Sequence, residues 1–129
     1  MQQDVLADAF SAIKNAREIG QREVTIEPAS DLIKSVLKIL QQEGYIGLFE
    51  EIEDGRGGKF KVEIETTLND CNAIKPRMSV GQDEFQEYEK RYLPARGFGH
   101  LLVTTPQGVM THHDAREEGI GGKLLGYVY

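Results

Sequence analysis

At 129 residues, with a net charge of −6 and a single cysteine, Cys71, the chain is about one domain long, acidic and barred from any intrachain disulfide. That length buries roughly two-thirds of the surface the unfolded chain exposes, so a core forms without staples, and a single thiol suits a reducing compartment such as the cytosol. The amino terminus lacks the basic cap and apolar run of a secretion signal, and no window approaches the roughly 20 apolar residues of a membrane span, so no membrane contact is expected.

Asp4 is placed to cap a first helix, in which Leu6, Ala9, Ile13 and Ala16 recur on one face and after which Gly20 stops the spiral. Arg22 to Glu27 alternates polar and apolar and halts at Pro28, the pattern of a short half-buried strand. From Ser30 to Gln42 the spacing predicts a second helix, with Leu32, Ile33, Val36, Leu37 and Leu40 facing a core and Gly44 just past its end. Ile46 to Asp54 and Lys59 to Glu65 read as two strands, joined through Gly55-Arg56-Gly57-Gly58 in a hairpin whose glycines supply positive backbone angles. Polar and turn-forming residues then cluster from Thr66 to Asn72, which reads as a junction.

Beyond the junction, Ala73 to Arg77 is extended, because Pro76 pushes its predecessor out of the helical region. Asp83 to Tyr92 reads as a charged helix with Phe85 and Tyr88 or Tyr92 turned inward, stopped by Leu93-Pro94. A strand from Gly99 to Thr105 feeds a polar turn, Thr104-Thr105-Pro106-Gln107-Gly108. A short helix follows, capped by Thr111 with Asp114 at capping-box spacing, and a strand from Lys123 to Tyr129 closes the chain. The fold class is α/β of the α+β kind, in two small lobes. Residues 1–68 make an N-terminal lobe of helix, strand, helix, strand, strand, and residues 69–129 a C-terminal lobe that is mostly β with short helices.

Charge is unevenly spread. Residues 1–70 hold 8 basic and 14 acidic side chains, whereas residues 71–129 hold 7 of each. A net negative total argues against nucleic acid, whose binding draws on phosphate neutralisation. Yet the 24 residues from Lys90 to His113 contain Lys90, Arg91 and Arg96 and no acid at all, with the Thr104 turn inside them. The four acids from Asp83 to Glu89 read as solvent-facing, and replacing Glu87 or Glu89 should hardly matter.

Chemical motifs are mostly ruled out. Gly58-Lys59 and Gly122-Lys123 each lack both the upstream glycine and the following hydroxyl of a phosphate loop. His112, His113 and Asp114 with His100 nearby do not have the spacing of a structural metal site. No catalytic residue, metal ligand or cofactor is assigned, and a hydrolase built on His112 or His113 is only a third reading. The Thr104 turn alone supports two readings equally: a tight connection whose threonines satisfy local donors, or a loop whose hydroxyls and amides meet irregular RNA.

The run Val103-Thr104-Thr105-Pro106-Gln107-Gly108-Val109-Met110-Thr111-His112, with Glu117 to Tyr129 behind it, closely resembles the carboxyl end of the universal small-subunit ribosomal protein S-eight family. Val5 to Ala9, Ile13 to Ala16, Pro28-Ala29-Ser30, Gly44 to Gly47, Ile74-Lys75-Pro76-Arg77 and Leu93 to Arg96 are similar to its archaeal and eukaryotic branch, and the likeness covers essentially the whole chain. The resemblance implies two small lobes, no enzymatic activity, and a cytoplasmic place in the small ribosomal subunit. It implies binding to the central domain of small-subunit rRNA as a primary binder that helps organise the platform, beside neighbouring small-subunit proteins, through a C-terminal RNA-binding lobe. It assigns RNA contact to Thr104, Thr105, Gln107 and Gly108, with Lys14 and Asn15 on the first helix and Lys75 and Arg77 in the extended segment. One position departs: Pro106 stands where the family usually has a hydroxyl, and it brings neither hydroxyl nor backbone donor. The second reading is an acidic derivative of the fold that binds protein and has lost RNA. The acidic balance of the chain also departs from a typical ribosomal protein, and under the leading reading its acids lie on solvent-facing surface, suited to a salt-rich cytosol.

Overall fold

Asp4 starts helix α1 (Val5–Glu18) by accepting the Ala7 amide on its carboxylate at 3.0 Å, which satisfies one of the orphan donors of the first turn. The helix buries Leu6, Ala9, Phe10, Ile13 and Ala16, and Gly20, at φ 77°, lets the chain turn away. After strand β1 (Glu23–Ile26), helix α2 (Asp31–Gln42) is capped by Ser30, whose hydroxyl accepts the Ile33 amide at 3.2 Å. Its buried face is Ile33, Val36, Leu37, Ile39 and Leu40. Leu32, expected inside, lies in the first turn and is only half covered, while Ile39 on the same flank is buried.

Strands β2 (Ile46–Ile52) and β3 (Lys59–Ile64) complete an antiparallel sheet of order β1-β3-β2, with Phe60 and Val62 of the central strand buried. The turn between them is organised by Asp54, whose Oδ1 accepts the amides of Arg56 and Gly58 at 2.8 and 2.9 Å. The segment read as a junction is not loose at its start. Leu68 is buried, and the Arg17 guanidinium donates to the carbonyls of Thr66 and Leu68, both at 3.1 Å. Lys14 lies 2.8 Å from the Asp70 carboxylate.

The computed structural model describes residues 4–129, and one unit ends at Asp70 while a second spans Cys71–Tyr129. Among the described residues no helix is long and apolar enough to cross a membrane. The second unit contains β4 (Cys71–Ala73), β5 (Ser79–Val80), α3 (Phe85–Tyr92), β6 (His100–Thr105), β7 (Gly108–Thr111), α4 (His112–Glu118) and β8 (Gly122–Val128). Its five strands form an antiparallel sheet of order β4-β8-β6-β7, with β5 also paired to β8. The core gathers Ile74, Val80, Phe85, Leu101, Val103 and Leu124.

Three strands, β4, β5 and β7, were not visible in the sequence pattern, and β5, of two residues, is too short to carry a period. Cys71 and Asn72, read as junction, pair with Val128 and Tyr127. Strand β7, read as the exit of a turn, has four residues, too few for an alternation to register; its pairing with β6 makes it a strand. Strands β4 and β7 are short edges recruited by longer partners.

Phe85 is the fully buried anchor that fastens α3 to this sheet. Phe85→Ala should lower unfolding stability by about 3–5 kcal/mol through lost transfer energy and the cavity left behind. Urea denaturation of the variant beside the parent measures this, and a loss under about 1 kcal/mol would mean that α3 is held by something else.

Candidate nucleic-acid interface

Strands β6 and β7 meet around Pro106 and Gln107, so Thr104 and Thr105 are the last two residues of β6 rather than part of the turn itself. Hairpins this tight favour positive φ at the turn, which proline, locked near −65°, cannot adopt. The positive angle falls instead on Gly108, at φ 118°. Thr105 closes the turn with its side chain: Oγ1 donates to the Gly108 carbonyl at 2.8 Å and accepts the Gln107 amide at 3.1 Å. The missing donor of Pro106 is therefore not needed by the turn. Pro106, Gln107 and Gly108 are exposed at the tip, and Thr104 and Thr105 are half-buried below it.

Beside the tip runs an open groove of about 500 Å³ lined by Ser79, Gly81, Glu84, Thr104, Thr105 and Lys123. Pairing registers build it, since Thr104 lies opposite Lys123, and Lys123 lies opposite Ser79. Glycines permit it. A Cβ on Gly122 would run into the Thr104 carbonyl oxygen, and one on Gly121 into the carbonyl of Val80. Two side chains that sequence reading missed, Ser79 and Lys123, thus join Thr104 and Thr105. Only strand pairing could have found them, since Ser79 is remote in sequence.

The groove corrects the acid-free picture. Glu84, outside the 24-residue stretch, comes to line it because the start of α3 is folded beside β6 and β8. Part of its carboxylate is occupied, for Oε1 accepts the Gly81 amide at 2.7 Å. Asn15 is exposed on α1, whereas Lys14 beside it is half-buried against Asp70. Lys75 and Arg77 are exposed between β4 and β5 and do not line the groove.

A buried cluster supports the hairpin from below. His112, fully buried at the start of α4, accepts the Leu101 amide on Nδ1 at 3.0 Å, so its proton sits on Nε2. Nε2 lies 3.0 Å from Glu89 Oε1 without a hydrogen bond between them, an ion pair only when the ring is protonated. Glu89 in turn receives Arg116. Burial, with the field of His113, pushes the His112 pKa down from 6.5 to about 4. Burial pushes Glu89 upward, but the Arg116 hydrogen bond and the fields of His112 and Arg116 prevail and hold it below the usual carboxylate range. Glu89, read as a solvated acid, is therefore a half-hidden structural partner. His112 is closed to any substrate, which removes the hydrolase reading for it. Among the described residues no three His, Cys, Asp or Glu side chains converge as a metal site.

Comparison with known proteins bears on the whole chain. A family model described as ribosomal protein S8 matches residues 4–129. The small ribosomal subunit protein uS8 of Halorubrum lacusprofundi is 52% identical over 126 residues, 98% of this chain and 97% of that protein. Its counterpart in Methanoregula boonei is 55% identical over 126 residues with the same coverage. That of Methanosphaerula palustris is 52% identical over 127 residues, 98% of each chain.

Gly122→Ala should cost about 1–3 kcal/mol, because its methyl must part β8 from β6; a thermal melt identical to the parent's would show that the two strands have slack. The His112 cluster predicts acid sensitivity. The unfolded chain takes up the His112 proton near pH 6.5 and the folded chain only near 4, so stability is complete above 6.5 and drains away as pH falls between those values. Glu89 adds to the decline at still lower pH. Urea midpoints across this range should fall, and His112→Gln, which keeps an acceptor but does not titrate, should flatten the curve. An equal fall in that variant would assign the effect to other groups.

Proposed function

The chain belongs to the ribosomal protein S8 family, and we propose that it binds the central domain of small-subunit rRNA as a primary binder and helps organise the subunit's platform during assembly. Membership makes it a structural, non-enzymatic constituent of the small ribosomal subunit, a ribonucleoprotein component associated with the ribosome.

The observation that carries the finer reading is the open groove beside the β6–β7 tip, where Thr104, Ser79 and Lys123 converge. Hydroxyls and a cation on an open, rigid surface suit irregular RNA, in which 2′-hydroxyls, unstacked bases and phosphates are all within reach. In this reading the unit spanning residues 71–129 is the RNA-binding lobe. Thr104 contacts RNA directly, while Thr105 contributes chiefly by holding Gln107 and Gly108 in place. Pro106 lowers the ordering cost of binding, since its φ needs no freezing.

Lys75 and Arg77 supply exposed positive charge for phosphates, and Asn15 an amide. Lys14 contributes less than its charge suggests, because a phosphate must compete with Asp70 at 2.8 Å. Neighbouring small-subunit proteins take up other surfaces. The acidity of the chain is concentrated in residues 1–70, with 14 acids against 8 bases, whereas residues 71–129, which hold the groove, carry 7 of each.

Gel-shift titration against a central-domain rRNA fragment at several salt concentrations tests this. Affinity should fall as salt rises, with a slope set by a handful of phosphate contacts. Thr105→Ala should weaken binding by about 1–2 kcal/mol, the scale of the hydrogen bonds with which its hydroxyl holds Gln107 and Gly108 in place, and Thr105→Ser should restore most of it. Lys14→Ala should matter less. Absent or salt-independent binding would end the reading in favour of a protein-binding derivative, and parent-like binding by Thr105→Ala would reduce the loop to a turn.

A further inference from the structure

The second unit carries another groove, built along α3 and sharing no residue with the one at the hairpin tip. One stretch, about 350 Å³, is lined by Lys90 and Arg96 together with the apolar Leu93, Pro94 and Ala95. It continues through Arg96, Gln86 and Glu89 into a second stretch of about 340 Å³ that adds Gln82 and Arg116.

The charges in this groove are not equivalent. Glu89 is committed to Arg116 and faces the His112 ring, so its negative charge is already answered. Asp83 borders only the second stretch. Lys90 and Arg96 are exposed, and neither has an ion-pair or hydrogen-bond partner for its side chain among the described residues. Two unanswered cations beside apolar side chains, with side-chain amides next in line, form a surface that lacks an anion. A planar guanidinium and an ammonium lining one groove match the oxygens of a phosphodiester, and the apolar lining matches the face of a sugar or base.

We propose that this α3 groove is a second RNA-backbone contact, with Arg96 and Lys90 on a phosphate and Gln86 and Gln82 reaching the adjoining nucleotide. The inference rests on the rRNA-binding reading above and extends it: the second unit grips RNA at two separate places. A two-point grip also helps explain how an acidic chain holds a polyanion. Each contact is local; of the acids that line the two grooves, Glu84 and Glu89 are engaged by the protein itself, and Asp83 borders only the second stretch of the α3 groove.

The test is a double variant, Lys90→Ala with Arg96→Ala, titrated beside the parent against the same rRNA fragment over a range of salt. Loss of both cations from this contact should reduce the salt slope by about 1 to 2 and lower affinity on the order of tenfold. Melting should not change, because neither side chain has a partner to lose. Lys90→Arg with Arg96→Lys, which keeps both charges, should retain the parent slope. If the parent binds with salt-dependent affinity and the double alanine variant matches it in affinity and slope, the α3 groove is not an RNA contact and the hairpin reading stands alone. That result accompanied by lost binding to an acidic small-subunit protein would assign the groove to protein. A parent that does not bind the fragment overturns both readings together.

Discussion

A neutral imidazole at the centre of the second unit sets the geometry on which the hairpin depends. His112 begins α4, takes the Leu101 amide of β6 on one ring nitrogen and turns the other toward Glu89 of α3. Three elements distant in sequence are thereby fixed to one ring. A buried backbone amide left without an acceptor would carry a desolvation cost, so the ring must stay where it is and stay neutral on that side. Burial, with the field of His113, keeps its pKa low, and a proton on Nδ1 would also aim two N–H groups at each other.

Given that anchor, the rest of the interface follows from close backbone approach. Strands β6 and β8 come near enough at Thr104 and Gly122 that a side chain on Gly122 has no room. The closeness brings Lys123 into line with Thr104 on one side and Ser79 on the other. Thr105 then finishes the tip with its own hydroxyl, and Gly108 takes the angle Pro106 cannot. The hydroxyl nearest the tip is thus the least available to a partner, and the one behind it the more available.

Electrostatics change meaning once the chain is folded. Along the sequence, the acids from Asp83 to Glu89 stand apart from the basic stretch that follows. In space Glu84 lines the hairpin groove and Glu89 lies under Arg116 and His112. Both are held by donors, so they act as struts more than as repulsive charge. Lys14 shows the converse, a cation whose charge is already opposed by Asp70. Counting residues by sign therefore misjudges which charges a partner meets.

Local rules determined most of the elements. Asp4, Ser30 and Thr111 each cap the helix they precede, because a short acceptor side chain beside a run of helix formers satisfies an orphan amide with no help from elsewhere. Helical spacing likewise gave away the buried faces of α1 and α2, and the glycine-rich turn marked the first hairpin. The whole-chain likeness to the S8 family, and with it the non-catalytic ribosomal role, was also present in the residues themselves. Tertiary structure alone decided what depended on a partner far along the chain. Strands β4 and β7 exist because β8 and β6 pair with them; Ser79 and Lys123 reach Thr104 through register; Glu84 and Glu89 become engaged through packing. The physical reason is range: capping and helical periodicity act over three or four residues, whereas pairing, burial and charge compensation act between residues that only folding brings together.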